Sequence, residues 1–391
     1  MAKRAIVIII DGVGVGELPD AGDYGDTGSD TIGNLARKMG GLELPNLERL
    51  GFGCIHPIEG VACHTTPMAN FGKMAEVSPG KDSTTGHWEL GGIILKKAFP
   101  TYPNGFPESV IFRFKQETGL DILGNYPASG TEIIKELGGE HLRTGKPIVY
   151  TSADSVFQIA AHDEIIPLEK LYEICEISRK ILSGEHAVAR VIARPFTGKN
   201  RDDFARTKYR KDFSLKPQGE TILSNLQNAG IPTIAIGKIN DLYAHDGISD
   251  GNPTKTNSEG MLALTAALEK YHDGLIMANL VDFDMLWGHR NDCQGFSSGL
   301  VSFDSWLGGF IDNLSPSDIL IITSDHGNDP TTPSTDHSRE FVPLLVYGKL
   351  LKKGVNIGER RSFADLQATL AEYFSVKKTE WGESFLKLII K

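Results

Sequence analysis

The stretch RAIVIIIDGVGVGELPD, residues 4–20, runs an aliphatic segment straight into Asp11 and then into a glycine-rich turn. Such a segment reads as a buried strand, and the turn invites a comparison with phosphate-binding loops. The comparison fails. A dinucleotide loop needs Gly-x-Gly-x-x-Gly; Gly12 and Gly14 fit, but Glu17 holds the third position. Asp11 and Glu17 would flank a dianion, and two unit charges ~5 Å apart repel by roughly 3 kcal/mol at an effective dielectric of about 20. SPGKDSTTG, residues 78–86, is no Walker loop either: Ala75 replaces the first glycine, and Asp82 stands where a magnesium-binding hydroxyl belongs. Asp11 therefore calls for a positive partner.

Elsewhere the chain supplies more strands that end in carboxylates. Five buried-strand patterns are expected at Ala5–Ile10, Ile231–Ile236, Leu275–Val281, Ile319–Thr323 and Val342–Tyr347. Helical patterns alternate with them at Thr31–Met39, Glu220–Ala229, Ser258–Tyr271, Phe296–Leu314 and Phe363–Tyr373. The alternation implies an α/β fold with a mostly parallel sheet and helices on both faces. Asp284 follows one strand in NLVDFDMLWGH and Asp325 follows another in ILIITSDHGND. Ligands of parallel sheets bind at the carboxyl ends of strands. Three carboxylates gathered there repel one another unless cations lie between them.

Histidines complete the set: His326 beside Asp325, His289 five residues after Asp284, and His337 in STDHSRE. Mixed oxygen and nitrogen ligands suit a first-row divalent ion such as manganese or zinc better than calcium. Six ligands are too many for one open tetrahedral site, so two ions are expected. Of the remaining histidines, His56, His64, His141, His162, His186 and His272 have no acidic strand-end context and are read as structural. His245 is a weak ligand candidate, and His87 has a supporting position beside a candidate nucleophile. The acidic loop PDAGDYGDTGSD lacks EF-hand spacing and reads as a solvated turn with a helix cap at Asp30.

Composition narrows the function. At 391 residues, about two domains are expected. A net charge of −10 argues against a nucleic-acid partner. An anionic substrate stays possible if metal ions provide local positive charge. The apolar run after Lys3 and Arg4 is too short for a signal-peptide core or a membrane span. Cys54, Cys63, Cys175 and Cys293 form no Cys-x-x-Cys pair and read as reduced thiols of a cytoplasmic protein without disulfides. Residues 97–213 are rich in Pro and Gly turns, with strand patterns at Pro147–Thr151 and Ala187–Ala193. They read as a domain inserted into a core of residues 1–96 and 214–391; the alternative is one continuous large domain. GKNRDDFARTKYRKDF reads as a charged connection.

Two ions suggest phosphoryl or sulfuryl chemistry or hydrolysis. A nucleophile is then needed, and GKDSTTGHWEL, residues 80–90, offers small hydroxyl residues on a Gly-flanked turn. The competing reading is a Ser/Thr-rich helix cap.

These motifs, with VYTSADS, ARVIARPF, DFDMLWGHR, TSDHGNDPT and TDHSRE, resemble the phosphopentomutase family of the alkaline phosphatase superfamily over essentially the whole chain. The resemblance implies an alkaline-phosphatase-like core with the inserted smaller α/β domain as a cap. It implies that Thr85 is the nucleophile, with Ser83 a local departure where Thr is expected. It places one ion on Asp11, Thr85, Asp325 and His326, and the other on Asp284, His289 and His337, with manganese the usual metal. Asp154, Arg190 and Arg206 of the inserted domain and Lys238 of the core match substrate-binding positions. The implied reaction interconverts (deoxy)ribose 1-phosphate and 5-phosphate through phosphothreonine and a sugar bisphosphate. A bisphosphate such as glucose 1,6-bisphosphate would prime it, and closure of the cap would exclude water. No membrane, nucleic acid or obligate protein partner is expected. The rival readings are a metal-dependent phosphoglycerate mutase, a phosphatase or sulfatase, and a metal-binding protein without catalysis.

Overall fold

The Arg4–Ile10 strand is buried along its whole length, which only a strand covered on both faces achieves. The computed structural model describes residues 3–152 and 154–391. The strand lies inside an eight-stranded sheet. Its order is Asp250–Asn252, Thr233–Ile236, Gly274–Leu280, Arg4–Ile10, Ile319–Thr323, Val342–Tyr347, Asn70–Met74 and Asn356–Arg360. Pairing is parallel except on either side of Val342–Tyr347. Ile6, Ile8 and Ile10 pack with Leu35, Leu264, Phe296, Leu300 and Leu307, drawn from helices Thr31–Met39, Asn257–Lys270 and Cys293–Asp312. Asp30 caps the first of these by accepting from the Gly33 amide, as its position in the acidic loop implies.

The chain divides into two compact units: the residues up to Lys97 with Pro217–Lys391, and Ala98–Lys216. The second unit has its own sheet, ordered Leu123–Pro127, Ile148–Thr151, Val156–His162, Arg190–Thr197 and Ala205–Arg206, with Lys211–Ser214 also pairing to Arg190–Thr197. Helices Glu108–Thr118 and Leu168–Ile181 cover one face through Phe114, Leu171 and Ile174 against Phe157 and Val191. Helix Gly130–Thr144 covers the other through Ile133 and Ile134.

Three local expectations are corrected. Cys54 and Cys63 form a disulfide, whereas Cys175 and Cys293 are buried free thiols. The reason is a close backbone approach: a Cβ on Gly53 would lie 2.4 Å from the Val61 carbonyl, so the two cysteine-bearing segments are pressed together. The stretch after Asp82 is helix, Ser83–Leu90, which corrects the turn and bears out the competing reading of a helix cap. The charged connection contains two short strands, held by pairing to Arg190–Thr197. Among the described residues no helix is long and apolar enough to cross a membrane.

Candidate metal centre

Strands Arg4–Ile10 and Ile319–Thr323 are direct neighbours in parallel register, so Asp11 and Asp325 leave the sheet at the same edge. The Gly274–Leu280 strand flanks Arg4–Ile10 on its other side and delivers Asp284 through a wide turn, Phe283–Trp287, and then His289. Such one-turn widenings of a helix are frequent at functional sites. Gly12 has φ +77°, and a Cβ there would stand 3.1 Å from the Asn328 side chain. A glycine thus lets the chain turn sharply behind Asp11 and lets its amide donate to Asp325 Oδ1 at 3.2 Å.

All six expected ligands come together. Asp11, Asp325 and His326 each offer an atom within 4.8 Å of the others, and so do Asp284, His326 and His337. His326 is shared: its Nε2 is 3.4 Å from Asp11 Oδ1 and 3.3 Å from Asp325 Oδ2, and its ring centroid is 4.0 Å from that of His337. His337 Nε2 and His289 Nε2 lie 3.2 and 3.3 Å from Asp284 Oδ1. His289 thus joins the centre through Asp284, and its ring is 4.7 Å from His337.

The donor set fits divalent cations. Asp11 Oδ1, Asp325 Oδ2 and His337 Nε2 are buried with no well-aligned hydrogen bond and face only His87 and other carboxylates and imidazoles of the cluster at 3.1–3.4 Å, an arrangement that costs free energy unless something positive completes it. Burial opposes the charge on Asp284, yet His337 and His289 hold its carboxyl well below the usual range. Burial likewise opposes charge on His289, but the Asp284 carboxylate pushes it up to about 9. Lys238 Nζ sits 3.2 Å from Asp11 Oδ2, so this expected substrate contact faces the centre itself.

The Ser83–Leu90 helix carries the candidate nucleophile. Asp82 caps it, accepting from the Thr84 and Thr85 amides, and its other oxygen accepts the Thr85 hydroxyl at 2.5 Å. Thr85 is fully buried. On one side of it Ser83 Oγ is 3.1 Å from His326 Nε2; on the other, a Cβ on Gly86 would lie 1.9 Å from the Asp325 carbonyl oxygen. The helix start is therefore packed directly on two candidate ligands. Glu89 and Trp88 of the same motif anchor it: Glu89 accepts from the amides of Val77, Ser78 and Phe363, and Trp88 donates to the Leu242 carbonyl.

Several supporting residues escaped the sequence reading. Asn328 donates to Asp284 Oδ1 at 2.8 Å and orients it. Arg339 donates to Glu76, to the Ser78 and Gly80 carbonyls and to Asp20, clamping the segment before Asp82. Asp20 is thereby paired, and Asp26 pairs with Lys81 at 3.0 Å, so the acidic loop is only partly a solvated turn. A signal for Asp82 existed, since an Asp directly before a helix is a cap pattern; Asn328 and Arg339 offered none. His87 is fully buried, with Nδ1 3.1 Å from Asp325 Oδ2 and 2.8 Å from the Ser83 carbonyl. With two acceptors at Nδ1 and the Asn279 amide facing Nε2, the tautomer protonated at Nδ1 satisfies the site.

In the second unit, Asp154 is exposed on the turn before Val156–His162, and Val156 pairs with Arg190. Arg190 is half-buried, 3.6 Å from Asp212, with its Nε unpartnered. Arg206 is exposed, opposite Phe196.

A metalloenzyme superfamily model matches residues 3–378. The phosphopentomutase of Carboxydothermus hydrogenoformans is 56% identical over 97% of this chain and 99% of its own. That of Dictyoglomus thermophilum is 57% identical over 99% and 98%, and that of Clostridium novyi 52% over the whole of both. Among solved structures, phosphoglycerate mutase from Leishmania mexicana aligns over 100% of this chain and 98% of its own with a TM-score of 0.50 at 11% identity, a likeness of fold alone. Full-length identity above one half to relatives of one name shows that this chain belongs to the phosphopentomutase family of isomerases.

Proposed function

We propose that the protein interconverts ribose 1-phosphate and ribose 5-phosphate, and their 2-deoxy counterparts, with Thr85 as phosphoryl carrier. The observation that supports this most is the placement of the buried Thr85 between Ser83, which touches His326, and Gly86, which abuts Asp325. Asp11, Thr85, Asp325 and His326 would hold one divalent ion and Asp284, His289 and His337 the other, with His326 near enough to both groups to join them. When bound, manganese would polarise the transferring phosphoryl oxygens and stabilise the threonine oxygen as attacker and leaving group.

The chain's own residues do the rest. Asp82 fixes the Thr85 hydroxyl in the dephosphorylated state. Phosphorylated Thr85 gives its phosphoryl group to the incoming monophosphate; a bisphosphate forms, reorients or exchanges, and returns its other phosphate to Thr85. A bisphosphate such as glucose 1,6-bisphosphate primes the unphosphorylated enzyme. Asp154 accepts from sugar hydroxyls, while Arg190, Arg206 and Lys238 neutralise phosphate. Residues 97–213 act as the substrate-binding cap. The partners are pentose phosphates, without nucleic acid, membrane or an obligate protein, and such substrates fit a cytoplasmic enzyme.

The test is a manganese-supplemented assay with ribose 1-phosphate, with and without the priming bisphosphate. Ribose 5-phosphate is expected, faster with priming. Its absence under both conditions rejects the reading, and free phosphate released in step with substrate loss points to a phosphatase.

A further inference from the structure

Cys54 and Cys63 close a disulfide across nine positions of the chain. Thiols of the cytoplasmic enzyme proposed above are kept reduced, and a disulfide in such a setting is usually transient, catalytic or redox-sensing. This pair is within reach of solvent: Cys63 is exposed and Cys54 half-buried, whereas the free thiols Cys175 and Cys293 are buried. A cavity of about 600 Å³ opens beside the pair, lined by both cysteines with Arg37, His56, Pro57 and Glu59. It gives the arm of a small dithiol room to approach.

His56 is the second, independent observation, because it carries the state of the pair inward. It lies between the buried Phe52 and Ile58, in a stretch of half-buried or exposed residues whose covalent tie is Cys54. Its Nε2 is 2.9 Å from Asp30 Oδ2, and its Cε1 would stand 3.3 Å from a Cβ on Gly16, in the loop that follows Asp11. Asp30 caps the Thr31–Met39 helix, and its own amide donates to Asp329 Oδ2 at 3.1 Å. The next residue, Thr31, accepts the Asn328 amide on Oγ1 at 3.1 Å, and Asn328 in turn holds Asp284. One short run of contacts thus joins the disulfide to a candidate metal ligand. Asp30 has a second partner in Arg37, at 3.2 Å and with an exposed side chain, so losing His56 loosens the helix start without freeing it.

We propose that Cys54–Cys63 is a site of reversible reduction by dithiols, and that opening it slackens the grip of His56 on Asp30 and lowers the affinity of the centre for divalent ions. A thiolate of the dithiol attacks the exposed Cys63 sulfur, the S–S bond breaks, and Cys54 leaves as a thiolate that takes up a proton. The second thiol of the reductant, as its thiolate, then displaces Cys63 from the mixed disulfide and closes the reductant's own disulfide; Cys63 is protonated in turn. Two electrons pass to the pair, and both cysteines end as thiols. Only the reducing compartment rests on the reading above; the contacts and the metal do not depend on which sugar phosphate is turned over.

The test uses the full chain stripped of metal, treated with dithiothreitol and freed of it under anaerobic conditions. Calorimetric titration with manganese reads the centre, and iodoacetamide labelling followed by peptide mass spectrometry reads the thiols. Without denaturant, label is expected on Cys54 and Cys63 after reduction and on neither before it. Reduction is expected to weaken manganese binding about fivefold, the low end of coupling between sites, because Arg37 stays on Asp30. Reoxidation with diamide should restore the affinity and block the label. His56→Ala with the disulfide closed is expected to show a similar loss, and reduction to add little to it, since both changes act on one contact. Cys54→Ser combined with Cys63→Ser should bind manganese as the reduced chain does and ignore dithiothreitol; if it fails to fold, the reduced wild type carries the comparison. A pair left unlabelled in the native protein, undiminished affinity after reduction, or a full response to dithiothreitol in His56→Ala overturns the proposal. Affinity that depends on the dithiol in a chain without mutase turnover upholds it and removes the mutase reading; normal turnover with unaltered affinity does the reverse.

Discussion

The Thr85 hydroxyl donates a hydrogen bond to the Asp82 carboxylate across 2.5 Å, and the two residues divide the work of the helix start between them. Thr85→Ala is expected to abolish mutase turnover while the fold survives, as judged by an unchanged melting profile. Asp82→Ala should both slow turnover more than tenfold and cost about 1 kcal/mol of stability, since a capping carboxylate is lost. Asp82→Asn separates the two effects: asparagine caps as well as aspartate, so stability should hold while kcat falls. Steady-state kinetics and thermal melts on the pair check this. At this scale the sequence was informative where chemistry repeats a pattern. Asp11, Asp284 and Asp325 stood out because each ends an aliphatic strand, and His289, His326 and His337 because they lie in the same loops. Asn328 did not stand out, because its role is to hold Asp284 across 44 residues and nothing local marks such a bond.

The Ser83–Leu90 helix looked like a turn because its amphipathic signal is nearly absent: Thr84 through Leu90 are all buried. A helix buried on every side shows no polar face by which to recognise it. Its closeness to the centre depends on Gly86, which touches the Asp325 carbonyl. Gly86→Ala, helpful to an isolated helix, is expected here to force the helix from the Asp325 loop. The cost should be about 1–3 kcal/mol in chemical denaturation, with most activity lost. A second tie is Glu340, whose carboxylate accepts from the Thr31 amide and hydroxyl and from Ser338, linking helix Thr31–Met39 to the segment after His337. Burial raises its carboxyl from 4.5 to about 7, against the pull of those donors. A folded state that holds this proton more tightly than the unfolded chain gains stability below pH 4.5 and loses it as pH rises to about 7. The loss is at most about 3 kcal/mol. Glu340→Gln should flatten the stability profile in that window, measured by denaturant titration at a series of pH values; an unchanged slope would assign the titration elsewhere.

For the whole molecule, the order of strands and helices was legible from alternating patterns, and the second unit from its turn-rich composition. The strand Asn70–Met74 was not: it alternates buried and half-buried residues and includes Gly72. Nor was the Cys54–Cys63 pairing, because the backbone approach at Gly53 arises only in the folded chain. Metal binding should stabilise the molecule as a whole, since Asp11, Asp284 and Asp325 from three separate strands share one buried site. Chelation is expected to lower the melting temperature by several degrees and abolish turnover, and added manganese to restore both. The central claim is that Thr85, at the edge of this carboxylate and imidazole cluster, carries the phosphoryl group. Peptide mass spectrometry of the metal-loaded enzyme after exposure to glucose 1,6-bisphosphate tests it most directly. Phosphate on Thr85 in the wild type, none on Ser83 or Thr84, and none anywhere in this peptide of Thr85→Ala is the expected result; phosphate on a neighbouring hydroxyl, or full turnover by Thr85→Ala, would contradict it.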